Sequence, residues 1–113
     1  MNFLPRAKRE NIVKINSQGG VLLFDSQTRR SFSLNKPAAI IFSHCDGTTE
    51  LSYLSRRYQF SEEIIYFTLD ELKKENLLAE ASYVSPFAEM ERSEILRRIK
   101  TNSTINIPKV TVL

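Results

Sequence analysis

The chain has one cysteine, Cys45, one histidine, His44, three glycines and no tryptophan. A single cysteine excludes an internal disulfide and any multi-cysteine metal site, and it fits a reducing compartment. A single histidine leaves no second imidazole for a metal pair or a proton-transfer pair. With so few glycines there is no glycine-rich phosphate loop, and no nucleophile–base constellation accompanies Cys45 or His44. Apolar runs stay far below the ~18 residues a membrane-spanning helix needs. The basic start, Arg6, Lys8 and Arg9, is followed by no apolar stretch, so it does not have the form of a signal peptide. These absences point to a cytoplasmic chain without a metal or other cofactor and without an evident catalytic centre.

What is present is ordinary for a soluble domain. The chain has 113 residues, 42% hydrophobic and 26% charged, with a net charge of +3. That length supports one domain with at most a tail. The mild basicity alone says little about a nucleic-acid or acidic partner.

Residues 1–10 read as loose and basic. Asn11 to Ile15, Val21 to Phe24 and Arg30 to Leu34 read as three short strands. Ser17-Gln18-Gly19-Gly20 and the polar stretch from Asp25 separate them. Short connections make the three an antiparallel meander. Asn35 then has the character of an N-cap, with Pro37 in the first turn. Ala38, Ile41, Phe42 and Cys45 follow at helical spacing, and Asp46-Gly47 is the expected stop. Thr48 or Thr49 is the expected cap of a second helix reaching Tyr58. Ser61 caps a third, with Glu62 and Glu63 in its first turn and Ile65, Leu69, Leu72 and Asn76 along one side. The expected architecture is therefore α+β: a three-stranded antiparallel sheet, then three helices. Beyond Ala81 lies an extension, with a short helix over 91–99 and a β-prone end, Ile107 to Leu113, interrupted by Pro108.

Several of these residues carry a resemblance. Leu34-Asn35, Ala38-Ala39, Ile41, Cys45-Asp46-Gly47 and Thr49 resemble, in order, the pattern of the PqqD-like family. The strand at Gly20 to Phe24, together with Glu71-Leu72 and Asn76-Leu77-Leu78, falls at matching places. The likeness spans roughly residues 10–80. Phe42 stands where many relatives have tryptophan, and Asn76 replaces a frequent glycine. The tail, with Ser93-Glu94-Ile95-Leu96-Arg97-Arg98 and Pro108-Lys109-Val110-Thr111, is similar to that of one branch of the family.

The resemblance implies a winged-helix-like RiPP recognition element over residues 10–82, with 83–113 as a C-terminal extension. It implies a peptide chaperone in natural-product biosynthesis that binds the leader of a ribosomally made precursor. The leader would add as a strand to the third β-strand and rest on the third helix. The partner would be a modifying enzyme, often of the radical-SAM type. A homodimer stays open.

The physical case points to the same place. A strand edge offers unpaired N–H and C=O groups to an incoming peptide, and side-chain pockets supply selectivity. The expected peptide-binding residues are Arg29, Arg30, Ser31, Phe32, Ser33 and Leu34 on an open third strand. Ile64, Phe67 and Thr68 on the third helix complete the set. Ile64 and Phe67 have an equally ordinary alternative role in the core, and Arg29 and Arg30 one as a solvated pair. A third possibility is that Ile107 to Leu113 itself fills the groove, in cis or by exchange between chains. The rival function is a winged-helix DNA-binding regulator. Against it, Ser61 to Glu80 carries Glu62, Glu63, Asp70, Glu71, Glu75 and Glu80 but only Lys73 and Lys74, a balance that phosphates repel.

Overall fold

Only Gln18 and Gly19 separate β1 (Ile12–Ser17) from β2 (Gly20–Asp25), and β3 (Arg30–Asn35) follows after a four-residue turn. The computed structural model describes residues 3–79, 83–87, 89–102 and 107–113. All three strands pair antiparallel, with Val13 opposite Phe24 and Leu23 opposite Phe32. Gly20 is required by close approach: a Cβ there would lie 1.9 Å from the Leu34 carbonyl oxygen. The second turn is organised by the buried Asp25. Its Oδ1 accepts the backbone N–H groups of Gln27 (2.9 Å) and Thr28 (3.3 Å), and Lys8 Nζ approaches Oδ2 at 3.4 Å. Burial alone would raise its pKa, but these donors and Lys8 outweigh burial and hold it below the ordinary value. Arg29 closes the turn in the left-handed region (φ 61°).

Asn35 begins α1 (Lys36–Ser43): its Oδ1 accepts the Ala38 N–H at 3.2 Å, and Pro37 sits in the first turn. Val21, Leu23, Phe32 and Leu34 point to the helical side and meet Ala38, Ile41 and Phe42 in one core. The helix stops at His44, before the expected Asp46-Gly47. Those two residues instead form a turn of their own. Asp46 Oδ1 accepts the N–H groups of Thr48 and Thr49, both at 2.8 Å, and both hydroxyls at 3.0 Å. The threonines are thus consumed by Asp46 and do not cap α2 (Leu51–Tyr58). Its N-cap is Glu50, which makes no side-chain capping bond. Ser61 does cap α3 (Glu62–Lys74), accepting the Ile64 N–H at 3.2 Å. Asn76 lies past the end of α3, exposed and left-handed (φ 59°), rather than on its inner stripe.

The ends of the chain depart most from expectation. Residues 3–8 are not loose. Leu4, Pro5 and Ala7 are buried, and this strap bonds to the body at four points: Leu4 N to Thr49 O (2.7 Å), Ala7 N to Cys45 O (2.8 Å), Lys8 N to Leu77 O (2.9 Å) and Ala79 N to Arg6 O (2.7 Å). Arg6 crosses directly over Gly47, where a Cβ would meet its Cγ at 2.5 Å. The C-terminal part adds α4 (Arg92–Asn102) and β4 (Val110–Val112). The architecture is α+β as expected, but among the described residues the sheet has four antiparallel strands in the order β1-β2-β3-β4 and there are four helices. The boundary expected at residues 82 and 83 adjoins residues 80–82, which lie outside the described residues. Ile95 and Ile99 of α4 are buried in the common core, and α4 packs on α3. Tyr83 fastens the preceding segment: its hydroxyl donates to Asp70 Oδ1 at 2.7 Å.

Two outcomes follow from this packing. Ile99→Ala should cost about 2–4 kcal/mol in urea unfolding, as for any truncated core residue; a loosely attached tail helix would give less than about 0.5 kcal/mol. The second concerns acid. The N–H groups of Thr48, then those of Thr49, lower the Asp46 pKa from 3.8 to about 2. A lowered folded-state pKa means stability that is present above pH 4 and lost as the pH falls towards 2. The melting temperature of Asp46→Ala should therefore be lower at pH 7 and fall less steeply than the parent's between pH 4 and pH 2.

Candidate functional site

In an antiparallel ladder, alternate residues turn their backbone groups to opposite neighbours. On β3 the outward set is Ser31, Ser33 and Asn35. Their partners are in the chain itself. β4 lies antiparallel along this edge with Phe32 opposite Val112, Ser33 opposite Thr111 and Leu34 opposite Val110. The ladder is framed by Leu113 N donating to Ser31 O (2.9 Å) and Asn35 N donating to Lys109 O (3.2 Å). The expectation of an open third-strand edge is therefore corrected: the C-terminal segment occupies it in cis. The physical cause is visible in the alternation of that segment. Pro108, Val110 and Val112 share the inner face with Phe32 and Leu34, while Lys109, Thr111 and Leu113 share the outer face with Ser31 and Ser33. Pro108 is buried and Val110 packs on the core.

The side chain of Asn35 completes the attachment. Its Nδ2 donates to the Ile107 carbonyl and its Oδ1 accepts the Lys109 N–H, both at 2.9 Å. Asparagine can do both because its amide carries a donor and an acceptor. The sequence identified Asn35 only as a helix cap; nothing in its immediate neighbours signals a second partner more than 70 residues away.

The expected site residues divide into three groups. Ser31, Phe32, Ser33 and Leu34 lie on the β3 edge, as expected, but under β4. Phe32 and Leu34 are themselves core residues. Ile64, Phe67 and Thr68 do not form an exposed wall. All three are buried, and α4 and β4 both pack against α3. Thr68 Oγ1 donates back to the Ile64 carbonyl (2.8 Å), and the Arg92 guanidinium lies 5.6 Å from the Phe67 ring while pairing with Glu71 at 2.7 Å. The arginines diverge. Arg30 lies over the Phe32 ring (5.4 Å) and pairs with Glu75 (3.3 Å) while its side chain stays exposed; Arg29 is exposed in the turn.

A second apolar surface lies on the opposite face of the sheet. Val13 and Phe24, and Ile15 and Leu22, are cross-strand pairs with exposed side chains. Chemistry elsewhere is sparse. Burial pushes the Cys45 thiol up to about 12, with the Asp46 charge adding to it, so it is held as the unreactive thiol. His44 is occupied by the Tyr58 hydroxyl at 3.3 Å. Among the described residues no group of three or more His, Cys, Asp or Glu side chains is placed to hold a metal ion, and no helix is long and apolar enough to cross a membrane. What the β3 groove offers is main-chain hydrogen bonding to an extended segment, flanked by apolar side chains. No family model, curated protein or solved structure matches this chain.

Thr111→Pro tests the ladder, since it deletes an N–H that faces β3. Amide exchange at Ser33 and Asn35 should accelerate while Leu23 and Phe32 stay protected. Thr111→Val, which keeps the N–H, should leave all four unchanged. Equal acceleration at all four in the proline variant would mean that β4 cannot part from the sheet by itself.

Proposed function

We propose that this chain is a non-catalytic peptide chaperone of the PqqD-like kind, which takes the leader of a ribosomally made precursor as an added strand on β3 and presents it to a modifying enzyme. One observation carries this proposal: an extended segment already lies antiparallel on that edge, beside α3, held chiefly through its backbone. Strand addition at this place is thus compatible with the groove's shape and hydrogen-bonding groups. The sheet of β1 to β3 followed by α1, α2 and α3 also supports a winged-helix-like description. The signature residues Leu34-Asn35, Ala38 and Cys45-Asp46-Gly47 occupy the strand–helix junction, the buried face of α1 and the turn after it.

Self-occupation changes how a leader would bind. It must replace β4, so its apparent affinity is reduced by the fraction of molecules whose groove is open. That cost comprises the main-chain bonds of β4, Leu113 and Lys109, each worth a net ~0.5–1.5 kcal/mol, the two bonds of the Asn35 side chain, and the packing of Pro108 and Val110. A leader longer than the tail recovers this through additional apolar anchors. In this proposal the work is cytoplasmic and needs no cofactor of the chain's own. The partner enzyme is of the radical-SAM type when the resemblance is followed. The DNA-binding alternative has less support. Ile64, Ile65, Phe67, Thr68, Leu69 and Leu72 of α3 are buried, and the remaining surface is acidic at its start, so this helix has no evident groove-reading face.

The test is titration of the isotope-labelled full chain with synthetic leaders from short reading frames encoded beside this gene. The expected result is amide shift changes concentrated at Ser31, Ser33 and Asn35, with Val110 to Leu113 moving towards unstructured values. An unrelated DNA duplex should produce no salt-dependent shifts on α3. Failure of every leader to shift β3, or duplex binding along α3, would overturn the proposal.

A further inference from the structure

Asn35 stands where β3 ends and α1 begins. As the N-cap, it commits its carbonyl oxygen to the helix. The next N–H of any strand alongside would therefore lose its usual acceptor. The side chain makes good that loss: Oδ1 accepts the Lys109 N–H, Nδ2 donates to the Ile107 carbonyl, and the main-chain N–H donates to the Lys109 carbonyl. All three bonds go to backbone atoms on either side of Pro108. They are indifferent to side-chain identity and specific for position.

We propose that Asn35 sets the register of whatever strand lies on β3, and that the apolar layer of Phe32 and Leu34 beneath that register selects an extended peptide with the alternation Pro-x-Val, short apolar residues at every second position. This deepens the chaperone proposal and rests on it. A slip of one residue would turn Lys109 and Thr111 onto Phe32 and Leu34, and expose Pro108 and Val110. The same slip would bring the proline, which has no N–H, opposite Asn35 Oδ1. In the observed register Pro108 sits between the two clamped residues, with its nitrogen directed away from β3, where no donor is needed. Proline and Asn35 thus exclude the neighbouring register from both sides. Asn35 is a positioning residue whose same Oδ1 also caps α1 through Ala38, so it ties the tail strand to the first turn of that helix.

The test uses the full chain carrying Thr111→Pro, which weakens its own β4, and the synthetic peptide Ile-Pro-Lys-Val-Thr-Val-Leu. The peptide should bind this variant at least about tenfold more tightly than it binds the parent, with shifts at Ser31 and Ser33. N-methylation of the peptide's lysine nitrogen should abolish binding, while N-methylation of the following valine, whose N–H faces away from β3, should be tolerated. Adding Asn35→Asp keeps the helix cap but removes the donor to the ligand carbonyl, and should weaken binding about tenfold without lowering the melting temperature. In the otherwise unmodified chain, Asn35→Asp should also speed exchange of the Leu113 amide and leave Ile41 unchanged, a readout independent of the proline variant. Binding at β3 that ignores both the lysine N-methyl and Asn35→Asp would overturn the role of Asn35 and leave strand addition standing. No binding at β3 even after Thr111→Pro would overturn both.

Discussion

The outward edge of β3 has to be paired. Ser31, Ser33 and Asn35 present backbone donors and acceptors beside an apolar layer of Phe32, Leu34 and α3, where unmet hydrogen-bonding groups are costly. The chain meets this requirement with its own C-terminal segment. The proposed function depends on that pairing: it requires that an edge met by residues 107–113 of the chain can also be met by another extended peptide.

Around the edge, the fold is fixed by small polar devices at each junction. Gly20 lets β2 pass close to Leu34, Asp25 gathers the turn before β3, and Asn35 converts the end of β3 into a helix start. Asp46 collects both threonines into the turn after α1, and Gly47 leaves room for the N-terminal strap. These contacts hold the β3–α1 corner in place.

Local pattern made the central elements legible. The three strands show short apolar alternation between turn residues, and Ser61 with Glu62 and Glu63 announces α3. What was misplaced depends on distance. The strap at Leu4 and Ala7 has no period of its own and is recognisable only through its partners Thr49, Cys45 and Leu77. Thr49 has the appearance of a cap, yet Asp46 three residues earlier captures it first. The β-prone character of Ile107 to Leu113 was evident, and docking in cis was one of the alternatives. Its place on β3 is marked by the apolar alternation of the segment and by two bonds from the Asn35 side chain, a second role of Asn35 that no local rule reveals. Phe67 and Ile64 were expected as a groove wall with the core as their alternative; both are buried, and spacing could not show that Arg92 of α4 would lie over the Phe67 ring.

In the observed state tail and groove satisfy each other. The proposed function requires a second, open state able to accept an external strand, and the ratio between the two would set how readily a peptide enters. Native-state hydrogen exchange across a denaturant series measures that ratio most directly. The account predicts that the Leu113 amide exchanges through a local opening of markedly lower free energy than Leu23, with little denaturant dependence. Exchange of Leu113 only through global unfolding, with the same free energy and slope as Leu23, would contradict it: β4 would then be a permanent strand of the sheet and the groove would have no vacancy to offer.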